Sequence, residues 1–439
     1  MDIRIFQSLH GDCLLVESAS KAHRILCDGG PPAAMERFIA PELEKLHAAN
    51  QAIDLLYISH IDQDHIGGIL RLLRAAFEWT VYDFHDNNGD RPNRTPKMAR
   101  VPEIKNIWHN AFRDLVSKNA GAIERQLAAA APALQSSHVH DLEELGHAFA
   151  QIATSVPEAI EVSRLIKEDL LAIPLNVLQQ TPQHSGKLIM ARSGQAKETF
   201  GSLEVEILCP TNKELIDLRR GWNNWLRDPK NSDNIQKLRD KYAQALATAP
   251  FQNGTNPLDL SSWQGVAGYD GVTVPNVASL VLMVNEGPKS LLLTGDSHPD
   301  MLRDGLQAAG HLDDGFVHLD VLKFQHHGSE NNMTQEFGNL VSADHYIFCG
   351  NGAHGNPELS VLDDVLASRV GAAAKRARAP IAQGRPFTFW FNTTSNVQEN
   401  QEYIDHMVAV EVWAERQLQR HPGLFNVRFV GDVFETLTI

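Results

Sequence analysis
Residues 59–68 read SHIDQDHIGG, and the fold turns on this stretch. It sets His60, Asp62, Asp64 and His65 within six residues. The run before it, DLLYIS (54–59), is apolar without alternation, as in a strand buried on both faces of a sheet. The run after it, HIGGILRLLRAAF, repeats apolar residues at helical spacing. The cluster therefore lies on a strand-to-helix turn, where four side chains converge without closing a long loop. Nitrogen and carboxylate ligands suit Zn²⁺, Mn²⁺ or Fe²⁺, and the lack of thiolates disfavours a purely structural zinc knot. The bland reading is a solvated polar turn. Gly67-Gly68 and the later clusters weigh against it.

Three more clusters follow strand-like segments: LLLTGDS with Asp296, LKFQHHGSENN with His326 and His327, and GNGAHGNP with His354. Taken singly, an Asp after Gly is usually a turn residue, and a His pair is often on the surface. Their recurrence in this order points to one site, because open α/β sheets place active sites at the carboxyl ends of their strands. IRIFQS, DCLLVES and HRILCDGG supply early strands, and LEVEILCP, ASLVLMVNEG and HYIFCG supply later ones. A helix is expected at about 33–49. RILCDGG and LLLTGDS echo each other weakly, each an apolar strand ending in Asp beside Gly.

Strand signals are interrupted twice. Residues 98–172, with AGAIERQLAAAAPAL and DLEELGHAFAQIA, read as a mostly helical insertion. Residues 212–270 read as a second insertion, mixing NIQKLRDKYAQALATA with a Trp-, Asn- and Gly-rich stretch. In residues 360–439, AVEVWAERQLQRHP reads as helix and VRFVGDVFETLTI as terminal strand.

Composition excludes whole classes. Of 439 residues, 43% are hydrophobic and 21% charged, which rules out a disordered or fibrous chain. Against 54 Asp+Glu stand 39 Lys+Arg, a formal charge of −15, which argues against wrapping long nucleic acid but leaves room for a local basic groove. Cys13, Cys27, Cys209 and Cys349 are scattered without a C-x-x-C pair, so a reducing compartment is the expectation. No basic leader with an apolar core opens the chain, and no apolar run approaches the roughly 20 residues of a membrane helix. A soluble cytoplasmic protein without membrane contact is expected. There is no G-x-x-x-x-G-K-[ST], no G-x-G-x-x-G after a strand and no G-x-S-x-G.

HGDCLLVES, RILCDGG, the H-x-D-x-D-H of HIDQDH, PNVASLVLMV, LLLTGDS, DVLKFQHHGS and GAHGNP fall in one order over residues 10–357. As a set they resemble metallo-β-lactamase-fold hydrolases, in particular the hydrolase domain of bacterial competence (DNA-uptake) proteins and the phosphorylcholine esterases. The resemblance implies an α/β chain, 1–439 as a single domain: an αββα sandwich with helical insertions. Residues 360–439 either complete the second half of that sandwich, the preferred reading, or make a dimer contact. It also implies two divalent metal ions, Zn²⁺ first, with Mn²⁺ or Fe²⁺ as alternatives. One metal would take His60, Asp62 and His327; the other would take Asp64, His65 and His354, with Asp296 bridging. Asp62 stands where the wider superfamily usually has His. A middle His ligand has no counterpart, and Asn276 lies near its place as a substrate-side candidate. Asp28 is expected behind the ligands, orienting one of them.

The implied activity is that of a dinuclear metal-dependent hydrolase, first a phosphodiesterase or nuclease, acting through a metal-activated bridging hydroxide. Asp64 and His326 are the catalytic candidates, with His326 holding a substrate oxygen or protonating the leaving group. Ser329 is a further substrate-binding candidate. The substrate would be a phosphodiester-containing small molecule or nucleic acid. The alternatives are a thioester, lactone or amide hydrolase, or a partner-gated sensor or effector of a multi-protein, defence-type system, docking a protein through the helical insertion. Weaker features have bland readings: Lys323 as a core-edge or surface residue, His10, His85 and His109 as lone histidines, and Asn331-Asn332 as pocket or cap. The basic runs at 91–125 (eight Lys/Arg against three Asp/Glu) and 371–386 (Lys375, Arg376, Arg378, Arg385) are solvated faces or phosphate recruiters.

Overall fold
A computed structural model describes residues 1–89, 94–110, 161–167, 170–179, 188–192, 194–212 and 279–439. Its strands are β1 (Asp2–Phe6), β2 (Leu14–Glu17), β3 (Arg24–Cys27), β4 (Leu55–Tyr57), β5 (Ile107–Trp108), β6 (Glu198–Phe200) and β7 (Leu203–Cys209). They continue as β8 (Val281–Glu286), β9 (Lys289–Leu293), β10 (Val317–Lys323), β11 (Val341–Phe348), β12 (Phe387–Phe391), β13 (Phe425–Phe429) and β14 (Phe434–Thr438). Among the described residues they form a six-stranded sheet, β14-β1-β2-β3-β4-β5, and an eight-stranded sheet, β13-β12-β11-β10-β9-β8-β7-β6.

Side-chain alternation sorts these strands into layers. Ile3, Ile5, Val16, Tyr57 and Trp108 of the first sheet share one core with Val205, Leu282, Val321, Ile347 and Trp390 of the second. The opposite face of the first sheet, with Leu15, Leu26 and Leu56, packs on Leu43, Ile66, Ile69 and Leu73 from helices Ala40–Ala48 and Gln63–Asn87. The opposite face of the second sheet, with Met283, Leu292, Leu322 and Phe389, packs on Leu302, Val365 and Trp413 from helices Pro299–Ala308, Leu359–Val370 and Gln401–Arg420. The result is four layers, αββα. Because both sheets are covered on both faces, β4 and β3 have no exposed position, as the unalternating DLLYIS foretold.

In each sheet one block of strands is parallel, β3-β4-β5 in the first and β9 to β13 in the second. Their carboxyl ends carry the segments CDGG, SHIDQDH, TGDS and QHHGS. The expected helix at 33–49 is present as Pro32–Ala34, a π-turn Met35–Ile39, and Ala40–Ala48.

Two features differ from the sequence reading. Ile107–Trp108, inside the segment read as a mostly helical insertion (98–172), is a short strand paired parallel with β4 and bridged on its other side by Leu175. The terminal strand signal resolves into two strands with different destinations. β13 joins the second sheet, but β14 crosses over and pairs antiparallel with β1, Ile3 opposite Leu437. The 360–439 segment thus contributes to both sheets. Residues 111–160 and 213–278, including Asn276, lie outside the described residues.

The helix that follows SHIDQDH packs close enough to the CDGG turn to exclude any side chain at Gly68. A Cβ there would stand 2.0 Å from the Gly29 carbonyl oxygen. Gly68 N–H donates to Gly30 O at 2.8 Å, and Gly29 N–H to His65 O at 2.9 Å, tying turn and helix together. Gly68→Ala must push the helix away and is expected to lower stability by about 1–3 kcal/mol. Thermal unfolding of the variant checks this; an unchanged Tm contradicts the close packing.

Candidate metal centre
The segments CDGG, SHIDQDH, TGDS and QHHGS meet in the buried seam between the sheets. After β4, residues Ile58–Asp62 lead into helix Gln63–Asn87, with Asp62 at its N-cap. An aspartate there ordinarily caps the helix, yet Asp62 makes no side-chain cap hydrogen bond. Its Oδ1 is buried without a hydrogen-bond partner. Across the seam, the turn after β10 places His326 at φ 46° and His327 at φ 56°. Asp28 after β3 is also left-handed, φ 55°. Each such non-glycine conformation costs about 1 kcal/mol, so the surroundings must hold these side chains in place.

Hydrogen bonds behind the imidazoles decide which nitrogen faces forward. Asp28 accepts from Ser59 N–H and Ser59 Oγ–H, both at 2.7 Å, and from His65 Nδ1–H at 2.9 Å. Since the Ser59 proton goes to Asp28, Ser59 Oγ accepts from His60 Nδ1 at 3.0 Å. His327 Nδ1–H donates to Cys349 O at 2.7 Å. Asn332 donates to the carbonyls of Asp296 and Ser297 at 3.1 and 3.0 Å, so its Oδ1 accepts from His326 Nδ1 at 2.6 Å. All four rings therefore carry the proton on Nδ1 and present Nε2, the arrangement that prepares histidines for metal.

These Nε2 atoms face carboxylates. His60 Nε2 is 3.4 Å from Asp62 Oδ2 and 3.5 Å from Asp296 Oδ2. His65 Nε2 is 3.5 Å from Asp296 Oδ1 and 3.3 Å from His327 Nε2. His327 Nε2 is 3.0 Å from Asp64 Oδ2 and 3.6 Å from Asp296 Oδ2. Ligands bound at 2.0–2.1 Å in a tetrahedron are about 3.3–3.4 Å apart, so these spacings match the edges of a metal site. His60 Nε2 and Asp296 Oδ1, like Asp62 Oδ1, are buried without hydrogen-bond partners. The residues fit divalent metal: His60, His65 and Asp296 bring ligand atoms together, with Asp62 beside His60 and Asp64 beside His327.

Charge explains the protonation behaviour. Burial alone would raise Asp64 and Asp296, but the neighbouring His65 and His327 outweigh it and hold both well below the usual carboxylate range. Burial alone would lower His65 and His327; Asp296, Asp12 and Asp64 outweigh it, lifting His65 well up and His327 to about 10. Asp12, in the HGDC segment, lies 3.2 Å from His327 Nδ1 and 3.7 Å from His65 Nδ1. It is paired with Lys323, which is 2% exposed and points into the seam. That corrects the core-edge or surface reading of Lys323.

The remaining candidates scatter. His327, which the resemblance groups with His60 and Asp62, has its Nε2 3.0 Å from Asp64 Oδ2 and 3.6 Å from Asp296 Oδ2. His354 is solvent-exposed, at φ 56°. Ser329 is buried and serves the turn, its N–H donating to His326 O at 2.9 Å and its carbonyl accepting from Asn332 N–H at 3.0 Å. Asn332 orients His326, and no sequence pattern signals this. His10 is half-buried near the centre, its pKa lowered by burial against the pull of Asp64. His85 sits in the last turn of helix Gln63–Asn87. The 371–386 run precedes β12, at the opposite end of the sheet; Arg385 there pairs with Asp344 at 2.6 Å and Lys375 with Asp364 at 3.5 Å.

Residues 8–78 match the family model described as the Metallo-beta-lactamase superfamily. The matched segment contains Asp12, Asp28, His60, Asp62, Asp64 and His65. Together with the two covered sheets, it makes the fold a metallo-β-lactamase αββα sandwich. Members of that superfamily are generally metal-dependent hydrolases. No curated protein matches the chain.

Two outcomes follow from the charges. Without metal, His65 and His327 hold protons that an ion must displace, so metal uptake at pH 7 is expected to release protons, and affinity should rise with pH toward about 10. Calorimetric titration in two buffers of different ionisation enthalpy reads this; equal heats would contradict it. His109 is 2% exposed, and neither ring nitrogen has a partner among the described residues. Burial, helped by His60, lowers its pKa from 6.5 to about 4. The unfolded chain therefore takes up this proton first, and stability is lost as pH falls from 6.5 through about 4. Unfolding curves of His109→Asn should show a smaller loss across that window; parallel curves would refute the assignment.

Proposed function
We propose that this chain is a phosphodiesterase or nuclease whose hydrolytic centre is built around Asp296. The observation that carries the metal reading is the common orientation of His60, His65 and His327, Nδ1 tied back and Nε2 facing Asp62, Asp64 and Asp296. When bound, a pair of divalent ions supplies a water acidic enough to act as nucleophile at neutral pH and positive charge for the oxygens that gain negative charge. Three carboxylates among the donors suit a comparatively hard ion, and such ions favour phosphoryl oxygen. The resemblance to competence-protein hydrolase domains and phosphorylcholine esterases favours phosphorus over carbonyl carbon.

The chain's own groups divide the work. Asp64 and His65 share the first turn of helix Gln63–Asn87, and Asp28 with Ser59 keeps His65 and His60 turned toward the centre. His326 differs from its neighbours in access. Its side chain is 20% exposed, against 7% or less for His60, His65 and His327. Asn332 fixes its Nδ1, and its Nε2 lies 3.8 Å from Asp296 Oδ2. It can hold a substrate oxygen beside the centre or return a proton to the leaving group.

Purified protein is expected to hydrolyse bis(p-nitrophenyl) phosphate only with added Zn²⁺ or Mn²⁺. Asp64→Ala should reduce turnover by on the order of 10³-fold or more with circular dichroism unchanged. His326→Gln should cost more with an alkyl leaving group than with p-nitrophenolate. Activity surviving Asp64→Ala sinks the mechanism, and metal-dependent cleavage of thioesters alone moves the reading to carbonyl chemistry.

A further inference from the structure
Behind the metal centre, Asp12 and Lys323 form an ion pair that joins the two sheets. Asp12 comes from the β1–β2 loop of the first sheet, and Lys323 ends β10 of the second. They are 4% and 2% exposed. Asp12 cannot shift freely: its N–H donates to Asp64 O at 3.3 Å, and its carbonyl accepts from Gly30 N–H at 2.8 Å. The neighbouring Gly11 has no space for a side chain, since a Cβ would lie 2.0 Å from Asp64 O. The aspartate is thereby fixed against the helix turn that carries Asp64 and His65.

Lys323 belongs equally to the other half. Its Nζ stands 3.4 Å from Gly295 O, one residue before Asp296, and its carbonyl accepts from Thr294 Oγ1 at 2.8 Å. The Asp12 carboxylate lies against His65 from the first half and His327 from the second. Asp12, His65 and His327 also form a cluster of metal-ligating type, but the cation it holds is the Lys323 ammonium. Desolvating both charges is unfavourable, and well-packed apolar residues would commonly serve stability as well or better. Stability alone therefore does not account for the pair.

We propose that Lys323 and Asp12 are positioning residues, a clasp that sets the separation between the Asp64–His65 half-site and the Asp296–His327 half-site. The clasp governs affinity at the metal position those four residues share, more than at the His60–Asp62 position. This rests on the metal reading above and adds to it a determinant outside the ligand set.

The test titrates metal-free wild type, Lys323→Met, Asp12→Asn and the double variant Lys323→Met/Asp12→Leu with Co²⁺ alone. Uptake is read by equilibrium dialysis, geometry by the visible d–d bands, and folding by Tm. Wild type should take up two Co²⁺ ions. Each single variant should lose affinity for one of them by about 10–100-fold, the other band staying as in wild type. The double variant, with neither charge stranded, should recover most of the Tm but not that affinity. If one single variant does not fold, the double variant still separates stability from positioning. Recovery of both Tm and affinity in the double variant overturns the clasp, as do single variants that bind both ions as wild type does. A wild type that takes up no Co²⁺ removes the metal reading itself; one that takes up two while the variants match it removes only the clasp.

Discussion

A buried carboxylate is stable only beside positive charge or hydrogen-bond donors, and the seam between these two sheets buries five: Asp12, Asp28, Asp62, Asp64 and Asp296. The rest of the centre answers that constraint. Asp28 takes two donors from Ser59 and one from His65. Asp12 takes Lys323. Asp62, Asp64 and Asp296 face the imidazoles of His60, His65 and His327. Such a set is unfavourable by itself and becomes favourable around divalent cations, which explains why so much charge is concentrated in one buried place.

Rigidity follows from the same arrangement. His326, His327 and Asp28 occupy left-handed backbone that an L-residue avoids. Asn332, Cys349 O and the Ser59–Asp28 pair hold them there through bonds made by atoms remote from the centre. The ligands are therefore set by the fold before any ion arrives. Little reorganisation is left for the moment of binding, which is what an electrostatic catalyst needs.

The division of ligands between two sheets makes the sandwich itself part of the site. His60, Asp62, Asp64 and His65 ride on one turn, whereas Asp296 and His327 come from the other sheet. Their relative position depends on the packing of Tyr57 and Trp108 against Val321, Ile347 and Trp390. Tyr57 also donates its hydroxyl to Leu280 O across the seam. The four-layer core is thus a positioning device as well as a source of stability.

Much of this was legible along the chain. Local contacts, within a turn or a strand, write themselves into short patterns. DLLYIS announced a doubly covered strand, HIGGILRLLRAAF its helix, and HIDQDH a local cluster of buried histidines and aspartates. The parallel ends TGD and QHHGS announced the other half. What the chain could not disclose were relations between residues far apart in sequence. Lys323 follows Val321 by one strand period, so period two places it facing the seam, but only the loop holding Asp12 makes that position habitable for an ammonium. His354 and His327 are both histidines after strands, and only the tertiary turn leaves one exposed and buries the other. The terminal strand was visible, but its pairing with β1 was not, because strand pairing depends on which edge is open after the other strands have taken their places. Residue chemistry and local periodicity were determined by sequence alone; partners across the seam were decided by packing, where the compensation of buried charge selects among arrangements that local pattern leaves equal.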